Sequence, residues 1–163
     1  MLRNSLINIL IFLAVYFAVH LYQTRNAPSG LAPEIQGIML DGRVFDKLSM
    51  IEKPVLVHFW ATWCKVCEFE HGSINNIAQD YSVIGVASQS GSMAEVNAYV
   101  ENKNLSYPIL LDRNGFIAES WGVVGYPTSY IIGEGDQVIF TEVGFTSEFG
   151  MRVRLWMASI FYN

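Results

Sequence analysis

Cys64 and Cys67 are the only two cysteines of the 163-residue chain, and they stand in the run Trp63-Cys64-Lys65-Val66-Cys67. Two thiols cannot build a disulfide framework or a four-thiolate zinc site, but they can make one redox pair. The run follows a short apolar strand pattern and opens a helical one. At the first turn of a helix, unpaired backbone N–H groups and the positive end of the dipole stabilise a thiolate on Cys64. Cys67 lies one turn on, close enough to form a short disulfide or resolve a mixed one. Two other readings remain open. A structural disulfide is poorly motivated, because so short a loop adds little stability through chain entropy. A soft Cu(I) or Zn site would need a third ligand, and His71, four residues beyond Cys67 on the same helix face, is the candidate.

The elements that must position the pair follow from the apolar pattern. Val55–Trp60, after Pro54, is a short apolar run of the kind that forms a central strand covered on both faces. Thr62 is the expected N-cap of a helix from about Cys64 to Tyr81, weakened in its middle by Gly72. Ile35–Asp46 reads as a hairpin turning at Asp41-Gly42. Val83–Ala87 reads as a second buried strand, and Met93–Glu101 as a second helix. Pro108–Asp112 leads through an Asn114-Gly115 turn into a short helix at Ala118–Trp121. Thr128–Ile132 and Val138–Val143 pair across Gly133-Glu134-Gly135-Asp136, and a last helix runs from about Ser147 to Phe161. A β-α-β half followed by a β-β-α half predicts a layered α/β fold whose mixed sheet has a partly antiparallel edge.

Composition narrows the classes. Hydrophobic residues make up 52% and charged ones only 15%, which excludes a disordered chain. A net charge of −5 and a pI near 5.1 exclude the basic stripe that nucleic acid requires. Part of the apolar excess is Leu6–Tyr22, about 17 residues and roughly 26 Å as a helix, near the short limit for spanning a bilayer. Cleavage after Ala27 or Ala32 is disfavoured by the prolines that follow them and by Arg25, so an uncleaved anchor is expected. Arg3 and the terminal amine lean towards an inside N-terminus and an exported body. The expected organisation is an anchor over 1–22, a polar, breaker-rich tether over 23–34, and one domain over 35–163.

Val55-Leu56-Val57-His58-Phe59-Trp60-Ala61-Thr62-Trp63-Cys64, then Cys67, then Gly122-Val123-Val124-Gly125-Tyr126-Pro127-Thr128 resemble the thioredoxin-fold group of TlpA and DsbE type. These are membrane-tethered thiol–disulfide oxidoreductases of the bacterial periplasm. The ending, Val143-Gly144-Phe145-Thr146-Ser147 and Gly150-Met151-Arg152-Val153-Arg154-Leu155-Trp156, is most similar to the ScsD branch, named for suppression of copper sensitivity. The resemblance implies a thioredoxin-like three-layer fold, a nucleophilic Cys64 and a buried, resolving Cys67. It makes Pro127 a cis-proline beside the dithiol, where the backbone of Tyr126 meets an incoming peptide. It also implies protein substrates contacted by Trp63, Tyr126 and Pro127, and a DsbD-like or ScsB-like membrane electron donor. No metal or organic cofactor is required.

Three positions depart from or tune that pattern. His58 stands where thioredoxins carry a buried aspartate. It could move the proton of Cys67, or be a neutral, hydrogen-bonded core histidine. Lys65 adds a positive charge beside Cys64, opposed by Glu68 and Glu70, and it also suits a solvated helix face. Glu70 matches a glutamate common in the family. Trp60, Trp63 and Trp121 are expected to frame the active-site surface. The final helix, with Phe149, Leu155, Trp156, Ile160 and Phe161, is more apolar than a one-faced helix needs. Rival functions are a reductase for cytochrome c maturation, a copper chaperone using Cys64, Cys67 and His71, and a catalytically silent interaction domain.

Overall fold

In a computed structural model, residues 27–161 are described without interruption, with scattered positions between 7 and 25 before them. The strands are β1 (Gly30–Leu31), β2 (Gly37–Ile38), β3 (Val44–Phe45), β4 (Val55–Trp60), β5 (Ser82–Ser88), β6 (Ile109–Asp112), β7 (Thr128–Ile132) and β8 (Gln137–Val143). The helices are α1 (Lys65–Ile77), α2 (Met93–Lys103), α3 (Phe116–Ser120) and α4 (Glu148–Phe161). Six strands form one sheet in the order β1-β8-β7-β4-β5-β6, and β2 and β3 form a separate hairpin. β4 runs parallel to β5 and β5 to β6, whereas β7, β8 and β1 are antiparallel to their neighbours. This is the expected mixed sheet of a thioredoxin-like α/β fold.

β4 is the axis of the molecule. All six of its residues are buried, because helices cover both faces of the sheet and neither side can show a polar row. The alternation along it divides the core. Leu56 and Trp60 join Cys67, Ile74 and Ile77 of α1 and Met151, Leu155 and Ala158 of α4. Val55, Val57 and Phe59 face the other way, towards Ala118 and Trp121 beside Ile35 and Met39. His58 is therefore directed to the α1 and α4 face, between Gly85 and Ser129 in the strand register.

Local chemistry explains the ends of the elements. The hairpin of β2 and β3 turns through Gly42 at φ +86°, a left-handed conformation that glycine adopts without steric cost. α2 begins with a capping box, in which Ser92 Oγ accepts from the Glu95 amide at 3.3 Å and Glu95 Oε2 accepts from the Ser92 amide at 2.7 Å. Asp112 receives the amides of Ile117 and Ala118 at 3.1 and 3.0 Å, tying α3 to the end of β6.

One expectation changes. Gly30 and Leu31, read as tether, form edge strand β1 against β8, and the Ala32 amide donates to Asp136 O at 2.8 Å. Nothing in a Pro- and Gly-rich stretch marks an edge strand, because its pairing is supplied by β8. Leu6–Tyr22, the expected anchor, lies partly outside the described residues, among which no helix is long and apolar enough to cross a membrane.

Two glycines, one on β5 and one on α1, have opposite expected responses to alanine. A Cβ on Gly85 would sit 2.5 Å from Tyr107 Cε2 and 2.9 Å from Trp60 Nε1, both part of the close-packed core. Gly85→Ala is expected to cost about 2 kcal/mol by overpacking. A Cβ on Gly72, inside α1, meets nothing within 4 Å. Gly72→Ala is expected to add up to about 1 kcal/mol from helix propensity. Urea unfolding of the two variants checks both signs.

Candidate active site

β4 ends at Trp60 and the chain turns once before α1, with the Cys64 amide donating to Ala61 O at 3.0 Å. The N-cap of α1 is Cys64 and not Thr62: its Sγ accepts the Cys67 amide at 3.2 Å. The Thr62 amide instead donates to Ser90 Oγ at 3.0 Å, so the turn is fastened to the end of β5. Cys64 and Cys67 are joined in a disulfide with Cα atoms 5.4 Å apart. Cys64 keeps 6% of its surface exposed and Cys67 none, an order of accessibility that suits a first and a second sulfur.

The rim of the site is aromatic. Trp63 is 59% exposed, donates Nε1–H to Gln89 O at 3.1 Å, and meets the Tyr126 ring edge-on at 5.6 Å. The Tyr126–Pro127 peptide is cis, as the resemblance implies. Pro127 O accepts the Gly144 amide at 2.8 Å, which joins the loop before β7 to the loop after β8. Trp60 and Trp121 do not frame the surface; both are fully buried. They sit on β4 and just past α3, where the strand faces inward, and an aromatic side chain carries no mark in sequence that distinguishes rim from core. Gln89, at φ +47°, and Ser90 are contributors that sequence reasoning missed. Gln89-Ser90-Gly91 is recognisable as turn chemistry, but its contact with Trp63 spans 26 residues.

Beneath the disulfide lie buried polar groups on the α1 face. His58 is completely enclosed, and its Nδ1 lies 2.9 Å from Ser129 Oγ. Its Nε2 faces Glu70 Oε2 at 4.0 Å, and neither atom has a hydrogen-bond partner among the described residues. Glu70 Oε1 accepts the Thr146 amide. Burial pushes the Glu70 carboxyl up to about 7, partly offset by that amide. Burial, with a smaller repulsion from His71, pushes His58 down to about 3. The imidazole is neutral at working pH, while the carboxyl stands half protonated near neutrality.

The remaining candidates separate. His71 packs into an aromatic cluster, with Nε2 3.0 Å from Tyr99 Oη, Nδ1 3.5 Å from Tyr107 Oη and its ring edge-on to Trp60. Burial holds it down to about 4. Among the described residues no group of three or more His, Cys, Asp and Glu side chains could hold a metal ion, and both ring nitrogens of His71 face tyrosine hydroxyls. Helical spacing put His71 on the cysteines' side, but its hydroxyl partners come from α2 and from the loop before β6, which the spacing could not reveal. Lys65 extends into solvent and pairs with Glu68 at 3.2 Å, and Glu68 also takes Lys103 at 3.2 Å. The Lys65 charge beside Cys64 is thus largely answered within α1.

The sequence profile of the family described as Redoxin matches residues 27–152. A thioredoxin-like protein of Haemophilus influenzae is 36% identical over 124 residues, covering 75% of this chain and 74% of its own length. The thiol-disulfide oxidoreductase ResA of Bacillus thuringiensis is 31% identical over 112 residues, 66% of this chain and 65% of that protein. Among solved structures, the exposed lipoprotein thioredoxin of Streptococcus pneumoniae superposes with a TM-score of 0.68 at 26% identity, over 76% of this chain and 98% of that one. Motif, fold and relatives agree: the chain belongs to the Redoxin family and is a thioredoxin-like thiol–disulfide oxidoreductase whose C-x-x-C pair is Cys64 and Cys67.

Proposed function

We propose that the protein exchanges disulfides with partner proteins in the bacterial periplasm, held to the inner membrane by Leu6–Tyr22. The observation that carries the exchange chemistry is the Cys64 sulfur serving as N-cap of α1 above a fully buried Cys67. In the reducing direction the Cys64 thiolate attacks a partner disulfide and expels one partner thiolate. The mixed disulfide lies beside Pro127, with Trp63 and Tyr126 against the peptide. Cys67 then attacks Cys64 Sγ, the second partner sulfur leaves, and the Cys64–Cys67 disulfide forms. Two electrons pass to the partner, and the same steps reversed oxidise a dithiol.

Proton handling falls to Glu70, one turn beyond Cys67, whose carboxyl near pKa 7 can take the Cys67 proton and return it. His58, neutral and hydrogen-bonded by Ser129, faces that carboxyl at 4.0 Å without carrying the charge. The ScsD-like ending supports a place in envelope redox control under copper stress. Two-electron turnover as a reductase needs a membrane donor of DsbD or ScsB type. Reduction of apocytochrome c remains the second assignment, favoured only by the DsbE-type motifs.

Cys67→Ser is expected to accumulate mixed disulfides through Cys64, seen as adducts on non-reducing gels with scrambled, disulfide-bonded ribonuclease. Cys64→Ser is expected to abolish exchange; persistent exchange in that variant would remove Cys64 as the nucleophile. The reduction potential decides direction: near or below about −200 mV the protein is a reductase, and nearer about −120 mV an oxidant.

The buried groups also set a pH profile. Glu70 has its native pKa raised from 4.5 to about 7, so its contribution is full below 4.5 and is lost as pH rises through about 7. His58 and His71 fall from 6.5 to about 3 and about 4, so theirs is full above 6.5 and is lost as pH falls towards 3 to 4. Between pH 6.5 and 8 the oxidised protein, whose cysteines do not titrate, is expected to lose about 1 kcal/mol of unfolding free energy through Glu70. Glu70→Gln lacks that loss and keeps only the gain of a few tenths of a kcal/mol from each buried histidine, so its advantage over the wild type is expected to grow by about 1 kcal/mol over that interval. Urea titrations at the two pH values make the comparison.

A further inference from the structure

We propose that an apolar strip, running from the redox pair along the outer faces of α1 and α4, docks the protein partner and selects one with an apolar segment beside its reacting cysteines. This rests on the exchange function and adds a specificity surface to it.

The strip begins where the chemistry is. Phe69, two residues past Cys67 on α1, is 76% exposed. The Thr146 amide bonds to Glu70, which holds the loop bearing exposed Phe145 against the same helix. From there the surface continues down α4 through Phe149, Val153 and Trp156, spaced by four and three residues and therefore on one face. Phe149 is 78% exposed and Trp156 53%. The domain's own core does not use this face, because α4 buries Met151, Leu155 and Ala158 on its opposite side. α1 and α4 are bound together beside the strip, with Asn76 Nδ2 donating to Glu148 Oε2 at 3.0 Å and Arg152 to Asn76 O at 2.9 Å. The strip is thus a fixed surface rather than two independent ones.

The charge pattern specifies the occupant. The ionic groups bordering the strip are paired within the chain: Arg152 with Asp80 and Glu148, and Lys65 and Lys103 with Glu68. A partner arriving here meets large apolar side chains edged by satisfied charges, so an apolar segment gains by burial and a charged one gains no partner. Location selects a protein over the bilayer. The chain approaches the domain through Ala27, Ala32 and Ile35, which pack in the cluster on the opposite face of β4 from α4. The side carrying the tether is not the side carrying the strip. Cys64 is recessed, so a partner sulfur reaches it only when its flanking residues lie on the surrounding surface. Phe69 is about 7.5 Å along the helix axis from Cys64, two or three residues of extended peptide.

The test uses the full-length protein in detergent, recycled by a small-molecule dithiol whose uncatalysed rate is subtracted, and three disulfides: hydroxyethyl disulfide and two peptides of equal length, with cysteines flanked by Leu and Phe in one and by Ser and Glu in the other. The wild type is expected to reduce the apolar peptide with the lower KM, and raising the salt is expected to leave that KM unchanged. In Phe69→Ser, Phe149→Ser and Trp156→Ser, the KM for the apolar peptide is expected to rise roughly tenfold in the combined variant, about 1.4 kcal/mol of binding. Its kcat and the hydroxyethyl disulfide rate are expected to stay at wild-type values. Equal KM values for the two peptides in the wild type, or no rise in the variants, would overturn the docking surface while leaving the exchange reading intact. Failure of the wild type to turn over hydroxyethyl disulfide would instead overturn the exchange reading. Sedimentation showing a dimer that the variants dissociate would reassign the strip to a second copy. Quenching of Trp156 by brominated phosphatidylcholine after reconstitution would reassign it to lipid.

Discussion

One contact organises the site: the Cys67 amide pointing at Cys64 Sγ across the first turn of α1. It makes the sulfur the cap of the helix, the place where unsatisfied N–H groups and the helix dipole favour negative charge. Such a cap works only if the strand before it ends at a fixed height and the turn after it cannot wander. β4, buried along its whole length between β5 and β7, supplies the first condition. Ser90 and Gln89, at the end of β5, supply the second by holding the Thr62 amide and the Trp63 indole. The parallel β4–β5 pair thus places both anchor points at the same end of the sheet.

The two faces of β4 divide the work. One face is plainly apolar, with Val55, Val57 and Phe59 against Trp121 and Ala118. The other carries His58 among apolar neighbours and brings it opposite Glu70. Enclosing both groups is costly in their charged forms, which is why the imidazole is driven neutral and the carboxyl is held near neutrality. A structural role alone would be served as well by an apolar pair. The polar pair makes sense beneath a cysteine whose proton has to move.

Much of this was legible from residue patterns, and the parts that were not share a cause. β4, β5 and the β7–β8 pair announce themselves because each is a short apolar run bounded by turn residues. The C-x-x-C at a strand-to-helix junction gave the chemistry directly. The errors fall where the deciding contact is distant in sequence. Thr62 and Cys64 can both cap a helix; the cap is Cys64 Sγ, and the Thr62 amide is held by Ser90, 28 residues away. His71 looked like a third ligand by helical spacing, yet Tyr99 and Tyr107 claim its two nitrogens. Trp60, Trp63 and Trp121 are alike as residues, and only the direction of β4 and the place of α3 make two of them core. Gly30 and Leu31 have no strand character until β8 lies beside them.

The central claim is that the helix cap lowers the pKa of Cys64. It is tested most directly by the rate of iodoacetamide alkylation as a function of pH in reduced Cys67→Ala protein, where Cys64 reacts alone. The account predicts a thiolate midpoint well below the free-cysteine value of about 8.5, in the range of about 7 or lower. A midpoint at or above about 8.5 would contradict it, and would mean that the cap seen in the structure does not activate the sulfur.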